Sequence, residues 1–372
     1  MPAPQEGHMK VESVSIRDFK RFERLEVSFK NQTLDTVSNR FLLLGDNGTG
    51  KTTLLQAIAL PLALATKQIG RVTDFDWLGF LPGRYQRWGA PLIEIEVLFT
   101  SEEIATTRAL FHRWAATQSE RALVEPGDNK RVRLVLDGER CYAASDAQYF
   151  QFAGRYYARS LLETDPAVRS EFYKLPGIFW FDQFRNLGVT PQREENGASP
   201  ASASKSTSGR VSFEVGVARL RKYLNGWKFA QLTRTSTVDY LTQLENLYTK
   251  IFTERSFAGV EPMPGVDSPT PEDYYFLISD GRRNYDIVEM SAGEQSVFPI
   301  LYEFVRQQIA YSVVLIDEID LNLHPPAAQL LIKQLPKLCS TCQFIVTTHS
   351  DAVSDVIGED DTYRLAGGSL CL

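Results

Sequence analysis

Apolar and polar positions alternate over residues 10–16 and again over 25–29, and this two-residue period predicts strands with one buried face. Residues 41–44, Phe-Leu-Leu-Leu, are apolar throughout, the pattern of a strand covered on both faces. Helical spacing follows to about Leu64, with Pro61 expected to kink or end the helix. Residues 74–88 read as a loop rich in aromatics. Alternation returns at 92–99, a helix is expected from Ser101 through Gln118, and residues 131–136 read as a strand entering a turn at Asp137 and Gly138. Residues 147–160 are aromatic-rich and fit neither period. Another buried strand is expected at 177–181.

From Pro191 to Arg210 there is almost nothing to bury, so a mobile loop is expected at 191–210. Helical spacing resumes over 215–227 and 239–252. In the second of these Leu241, Leu244, Tyr248, Ile251 and Phe252 fall on one face, which reads as core packing. Four prolines between 262 and 271 mark a loop, and residues 274–278 and 285–288 form a hairpin about Asp280 and Gly281. A helix over about 295–310 and buried strands at 311–316 and 343–348 complete the pattern.

At 372 residues the chain can bury a large core, as two or three domains or as one domain with insertions. Its hydrophobic fraction of 43% and charged fraction of 23% are those of a soluble globular protein. A net charge of −6 excludes a global polycation but not a local basic face. No apolar run reaches membrane-spanning length and no secretory signal opens the chain, so a cytoplasmic location without membrane contact is expected. Four cysteines make no disulfide framework, and the pair Cys339 and Cys342 has zinc-like spacing without a second pair to complete a site. Residues 1–8 are Pro-rich and polar and are expected to be flexible.

The chemistry begins where the strand at 41–44 runs into Gly45. Residues 45–52 fit G-x-x-x-x-G-K-[ST], and a helix follows. Backbone N–H groups of Asp46, Asn47, Gly48, Thr49 and Gly50, with the helix start at Thr53, can wrap a phosphate chain. Lys51 would reach the β- and γ-phosphates and the Thr52 hydroxyl would bind Mg²⁺. Asp317 and Glu318 end the strand at 311–316, the first placed to hold the metal and the second to take a proton from attacking water. Ser291, Gly293 and Glu294 lie at a helix start and form a second anion-binding corner. One chain already has a phosphate loop, so a second corner points to a second subunit. His349 ends the strand at 343–348, where it could contact a γ-phosphate.

Five elements in this order resemble the ATP-binding-cassette ATPases of the SMC, RecF and OLD type: residues 45–52, 291–295, 313–318, 320–325 and 348–350. Residues 16–19, Ile-Arg-Asp-Phe, also resemble the family's start, where an aromatic-basic turn lies near the adenine. The likeness covers roughly residues 9–60 and 274–356. It implies an α/β P-loop NTPase of ABC-ATPase type, a mixed β-sheet core with an N-terminal antiparallel β portion and a small helical insertion. The corresponding division is a flexible N-terminus at 1–8, one half of the ATPase head at 9–100, the insertion at 101–270 and the other half at 271–372.

The resemblance further implies ATP and Mg²⁺ as cofactors and a homodimer or higher oligomer in which Ser291 and Gly293 face the γ-phosphate of another protomer. It places a glutamine on the metal, for which Gln183 is the candidate, with Arg185 as an alternative phosphate contact. Asn322 stands where the family often has His, and Asp351 where Pro often follows Thr-His-Ser. The stretch from Thr52 to Ser291 is too short for SMC arms, and the tail after His349 leaves no room for the nuclease domain of OLD enzymes. The implied role is an ATP hydrolase that gates a partner effector encoded nearby, a nuclease or other protein, in anti-phage defence. The alternatives are a RecF-like DNA-binding repair ATPase and a slow ATPase acting as a scaffold. Lys205, Arg210, Arg219, Arg221, Lys222, Lys228 and Arg234, against the single acid Glu214, form a candidate nucleic-acid or acidic-partner surface with Trp227 and Phe229 interleaved. The competing reading of that stretch is a solvated helix face.

Overall fold

The computed structural model describes residues 8–118, 123–183, 185, 209–233 and 238–365, with side chains between 209 and 219 left out. In chain order the strands and helices are β1 (Lys10–Phe19), β2 (Phe22–Ser28), β3 (Arg40–Leu44), α1 (Lys51–Ala65), β4 (Leu92–Leu98), α2 (Ser101–Ala115), β5 (Arg131–Asp137), β6 (Arg140–Tyr142), α3 (Asp146–Phe150), α4 (Gly154–Leu161) and β7 (Gly177–Phe181). There follow α5 (Gly209–Thr233), α6 (Tyr240–Ile251), β8 (Ser256–Pro262), β9 (Tyr274–Ser279), β10 (Asn284–Asp286) and α7 (Ala292–Arg306). The chain ends with β11 (Ser312–Ile316), α8 (Pro325–Leu338), β12 (Cys342–Thr348), α9 (Asp351–Ile357) and β13 (Thr362–Arg364).

The chain divides into two compact units. The first, residues 1–182, 308–320 and 328–372, holds an antiparallel sheet of order β2-β1-β4-β5-β6 and a parallel sheet of order β13-β3-β12-β11-β7. This is the expected mixed α/β core with an antiparallel N-terminal portion. Strand β4 shows why the alternation was legible: Ile93, Ile95 and Val97 are buried, while Glu94 and Glu96 lie half-exposed between them. Strands β11 and β12 are buried at every position, as unbroken apolar runs in a covered parallel sheet must be.

Helix α1 touches strands of both sheets, and every residue but Thr52 is buried. A helix covered all round needs no polar face, which explains its apolar sequence. Pro61 does not end it; the helix runs on to Ala65 and closes where Thr66 Oγ1 donates to Leu62 O at 2.8 Å. The two sheets are stitched by one buried amide. Gln343 of β12 accepts the Val11 N–H at 2.7 Å and donates to Val11 O at 2.9 Å and Ser38 O at 3.2 Å. Each of these polar groups is thereby satisfied inside the core.

The loop at 74–88 has no long element, yet Phe75, Trp77, Phe80 and Tyr85 are buried. Trp77 stacks on Trp180 of β7 with ring centroids 6.1 Å apart, and Phe75 meets Phe80 edge-on at 4.9 Å. Residues 147–160, ambiguous by period, form α3, a short 3₁₀ turn and α4. His8 is buried at 4% exposure, and Met1 to Gly7 lie outside the described residues.

The second unit, residues 183–307 and 321–327, holds an antiparallel sheet of order β10-β9-β8 with α5, α6 and α7. Helix α6 buries Leu241, Leu244, Tyr248 and Ile251, the face that its period predicted. Strand β8 is a departure, ending on Pro262 where the prolines predict a loop; it lies at the sheet edge, where proline removes no ladder bond that a neighbouring strand needs. The second hairpin strand stops at Asp286, whose side chain accepts the Val288 N–H and so turns the chain into a 3₁₀ helix over Ile287–Glu289. Residues 101–182, expected in the insertion, fall in the first unit. Helix α5 starts at Gly209, and residues 191–208 of the expected mobile loop lie outside the described residues. No described helix is long and apolar enough to cross a membrane.

Candidate functional site

The first unit gathers its chemistry at one edge of the parallel sheet. Strands β3, β12, β11 and β7 run in the same direction, so their carboxyl ends deliver Gly45, His349, Asp317 and Asp182 to a common edge. Ligands of open parallel sheets bind at that edge because loops and helix N-termini converge there.

The loop after β3 is shaped by glycine. Gly50 has φ 101°, which L side chains rarely adopt, and a Cβ there would lie 2.6 Å from Phe22 Cζ. Gly50 also caps α1 with no side-chain hydrogen bond, and no acidic residue occupies the first turn, so the helix N-terminus offers unpaired N–H groups and partial positive charge. Asp46, Asn47 and Gly48 are exposed at the tip, while Thr49, Lys51 and Thr53 are buried. Lys51 Nζ donates to Gly45 O at 2.7 Å and Asp46 O at 2.9 Å, holding the loop from within. Burial pushes the Lys51 ammonium down from its ordinary value, and Glu318, Asp317, Asp46 and Asp320 pull it back up.

Asp317 is the centre of the corner. It is 2% exposed; Oδ2 accepts from Thr52 Oγ1 at 2.7 Å and Oδ1 accepts from Thr347 Oγ1 at 2.7 Å. The Thr347 hydroxyl also accepts the Glu318 N–H at 2.7 Å, so one threonine orients both acidic residues. Glu318 is half-buried with φ 46°, a left-handed conformation that costs a residue with a Cβ about 1 kcal/mol. Asp320 Oδ1 is buried without a hydrogen-bond partner. Thr52, Asp317 and Asp320 thus supply hard oxygens of the kind that suit Mg²⁺, which normally shares its remaining positions with phosphate and water.

The turn between β1 and β2 also reaches this loop. The Arg21 guanidinium donates to Gly48 O, and Lys20 Nζ bonds to Gln56 Oε1 at 2.7 Å and Gly79 O at 2.9 Å. Burial, with help from the Arg21 charge, pushes Lys20 down to about 8. The aromatic-basic start of the chain was legible in sequence. Its contact with the phosphate loop through Arg21 and Phe22 was not, and neither was the role of Thr347, one threonine in a uniformly buried strand.

His349 is exposed just past β12. Gln183 is half-buried in the turn beyond β7 and belongs to the second unit, as does Arg185, whose Nε donates to Ser296 O at 3.0 Å. Cys339 and Cys342 lie toward the other end of β12, buried, with their sulfurs 2.8 Å apart.

The second unit holds the other candidate residues. Ser291 caps α7 and is exposed; Gly293 is half-exposed, and Glu294 is buried at 3%. Ser291 Oγ donates to Glu294 Oε2 at 2.7 Å, and the Ser291 N–H bonds to the same oxygen at 2.9 Å. Glu294 Oε1 accepts from Tyr285 OH at 2.6 Å, Tyr248 OH at 2.7 Å and Arg255 Nε at 3.1 Å. Burial alone would push this carboxyl up, but the hydrogen bonds from Tyr285, Tyr248 and Ser291 outweigh it and hold the group at about 2. Glu294 therefore faces inward and organises Ser291.

Three described side chains of the basic stretch bond within the second unit. Arg221 pairs with Asp286 at 3.0 Å, Lys222 with Glu272 at 2.5 Å, and Lys228 Nζ donates to Gln231 Oε1 at 3.0 Å. Trp227 stacks on Tyr302 at 4.9 Å and Phe229 meets Tyr274 edge-on at 5.2 Å. Lys205 and Arg234, and the side chains of Arg210, Glu214 and Arg219, lie outside what is described.

Known proteins supply an independent comparison. The chain is 21% identical over 421 aligned positions to "Retron Ec83 probable ATPase" of Escherichia coli, spanning 97% of this chain and 72% of that protein. It is 32% identical over 97 positions to "Retron Vc95 probable ATPase" of Vibrio cholerae serotype O1 biovar El Tor, a match limited to 23% of this chain and 19% of that protein. Among solved structures, the Smc head domain with an extended coiled coil bound to the C-terminal domain of ScpA, from Pyrococcus furiosus, overlaps with TM-score 0.45 at 13% identity, covering 94% of this chain and 92% of that one. The SMC head domain from Thermotoga maritima overlaps with TM-score 0.42 at 14% identity, covering 93% and 92%. A family match extends over residues 41–355, most of the chain and every candidate strand end and loop from the phosphate loop onward. The chain belongs to the AAA-domain ATPase family described as "AAA domain, putative AbiEii toxin, Type IV TA system".

Proposed function

We propose that the protein hydrolyses ATP as a pair of protomers with nucleotide held between them, and that the cycle gates a partner effector in anti-phage defence. The observation that carries the reading is the Thr52–Asp317–Thr347 cluster beside the phosphate loop, which brings a hydroxyl, a carboxylate and the start of Glu318 together. In this reading the residue 46–53 backbone and the α1 N-terminus hold the phosphate chain, and Lys51 leaves its two carbonyl partners to neutralise β- and γ-oxygens. Mg²⁺, held by Thr52 and Asp317 with Gln183 as a further ligand, would neutralise charge on the same phosphates. Glu318 takes the proton from the attacking water, and His349 contacts the γ-phosphate.

Ser291 and Gly293 then meet the γ-phosphate of the other protomer. The defence role rests on the family description and the two retron ATPases. A RecF-like repair role and a scaffold role remain distinct readings. DNA-stimulated turnover would favour the first, and nucleotide binding with negligible turnover the second. The test is phosphate release from Mg-ATP by the purified chain, paired with particle mass for Glu318→Gln. The reading expects turnover in the parent, ATP binding without turnover in the variant, and a doubled mass when ATP is added to it. Parent-like turnover in Glu318→Gln would remove that residue as the base.

A further inference from the structure

Ser291 Oγ has one proton, and in this structure that proton points into the protein. The hydroxyl donates to Glu294 Oε2 at 2.7 Å and accepts the Glu294 N–H at 3.3 Å. What remains to offer outward is a lone pair. A phosphate oxygen also offers lone pairs, so the two repel until the hydroxyl turns. Glu294 links this exposed hydroxyl to a cluster built from distant parts of the unit. Its second oxygen gathers Tyr248 of α6, Tyr285 of β10 and Arg255, which precedes β8.

Resting on the reading that Ser291 meets ATP, we propose that Glu294 is a positioning residue that couples phosphate contact at Ser291 to helix α6. To donate to a γ-phosphate oxygen, Ser291 Oγ must leave Oε2. The carboxylate then loses one of its side-chain donors and draws more strongly on the remaining three. Tyr248 transmits that change, because its ring is fully buried against Phe252, Phe257 and Phe298 and cannot shift alone. Phosphate engagement is therefore felt in α6 through a change of hydrogen-bond partner at one hydroxyl. Conversely, a partner that moves α6 would alter how readily Ser291 is released, since coupling between two sites is reciprocal.

The experiment is hydrogen exchange of the α6 amides in Glu318→Gln, with and without Mg-ATP. The expected result is a several-fold change in α6 exchange on adding ATP, and loss of that change when Tyr248→Phe or Ser291→Ala is added. Tyr248→Phe in the otherwise unaltered chain should lower kcat a few-fold and leave ATP affinity unchanged. Tyr285→Phe, which also removes one hydroxyl, serves as a second variant should Tyr248→Phe fold poorly. An ATP-insensitive α6, or an ATP response that survives Tyr248→Phe, would overturn the coupling. Ser291→Arg separates this failure from a failure of the underlying reading. If that variant hydrolyses ATP normally, Ser291 does not act on nucleotide at all; if it is inactive while α6 stays silent, the coupling alone is lost.

Discussion

The carboxylates of Asp317 and Glu294 are both buried, at 2% and 3% exposure, and they are held in opposite ways. Asp317 is flanked by the hydroxyls of Thr52 and Thr347, neutral groups whose oxygens can turn to face a cation. Glu294 is flanked by two tyrosines, an arginine and its own cap serine, so a guanidinium is hydrogen-bonded to it directly. The first corner has the donor chemistry to receive a metal with its phosphate. The second has none to spare and fixes the position of a neighbouring side chain. Burial of an acid is common to both, and the identity of its donors separates a binding corner from a positioning one.

The comparison can be broken at several points. The largest effect belongs to Lys51→Ala. Truncating a buried cation that serves charged oxygens typically costs about 2–5 kcal/mol. ATP affinity should therefore fall roughly 30-fold or more, measurable by titration calorimetry on the folded variant; near-parent affinity would remove the loop as the phosphate site. Thr347→Val comes next. It takes one hydroxyl from both Asp317 and the Glu318 N–H, so turnover should drop about tenfold and stability by about 1–3 kcal/mol. Parent-like kcat in this variant would mean that the threonine does not orient the acids.

Glu294→Gln sharpens the contrast through pH. The folded carboxyl sits near 2, below its ordinary 4.5, so the stabilisation is full above about pH 4.5 and is lost as pH falls toward 2. The stability gap between parent and variant should therefore be widest at pH 6 and narrow by pH 3 in urea unfolding. A gap that does not change with pH would show that the charge of Glu294 contributes nothing. The smallest effect is expected from Arg221→Ala, which should cost about 1–3 kcal/mol by freeing the half of its pair that is buried on Asp286. An unchanged melting temperature with weakened nucleic-acid binding would favour the basic stretch as an interaction surface.

Much of the first corner was legible because its signals are local. The glycines, Lys51 and Thr52 lie within eight residues, and a buried strand announces Asp317 and Glu318. The contacts that organise it are not local: Thr347 is 30 residues from Asp317, and nothing in an all-buried strand marks which threonine faces an acid. The second corner was harder. The capping residues Ser291 and Glu294 could be read, but Tyr248 appeared only as one member of a core stripe. Its hydroxyl crosses 46 residues to reach Glu294, and the apolar period carries no information about where a phenol points. The basic stretch shows a different limit. Counting charges could not reveal that Arg221 and Lys222 have acids waiting at 286 and 272. Helix α8 begins on a Pro-Pro pair and was not anticipated, although proline at a first helical turn is well tolerated.

The paired arrangement is tested most directly by Ser291→Arg. The phosphate loop and Asp317 belong to the first unit and Ser291 to the second, so loading of Mg-ATP and completion of the site are separable. The measurement is ATP affinity and steady-state turnover on the same preparation of this variant. Parent-like affinity with turnover reduced at least about 100-fold is the predicted result, in line with the size of effects from groups that act only in the transition state. Parent-like turnover would contradict the account, because a bulky cation in place of Ser291 could not be accommodated against a γ-phosphate held by another protomer.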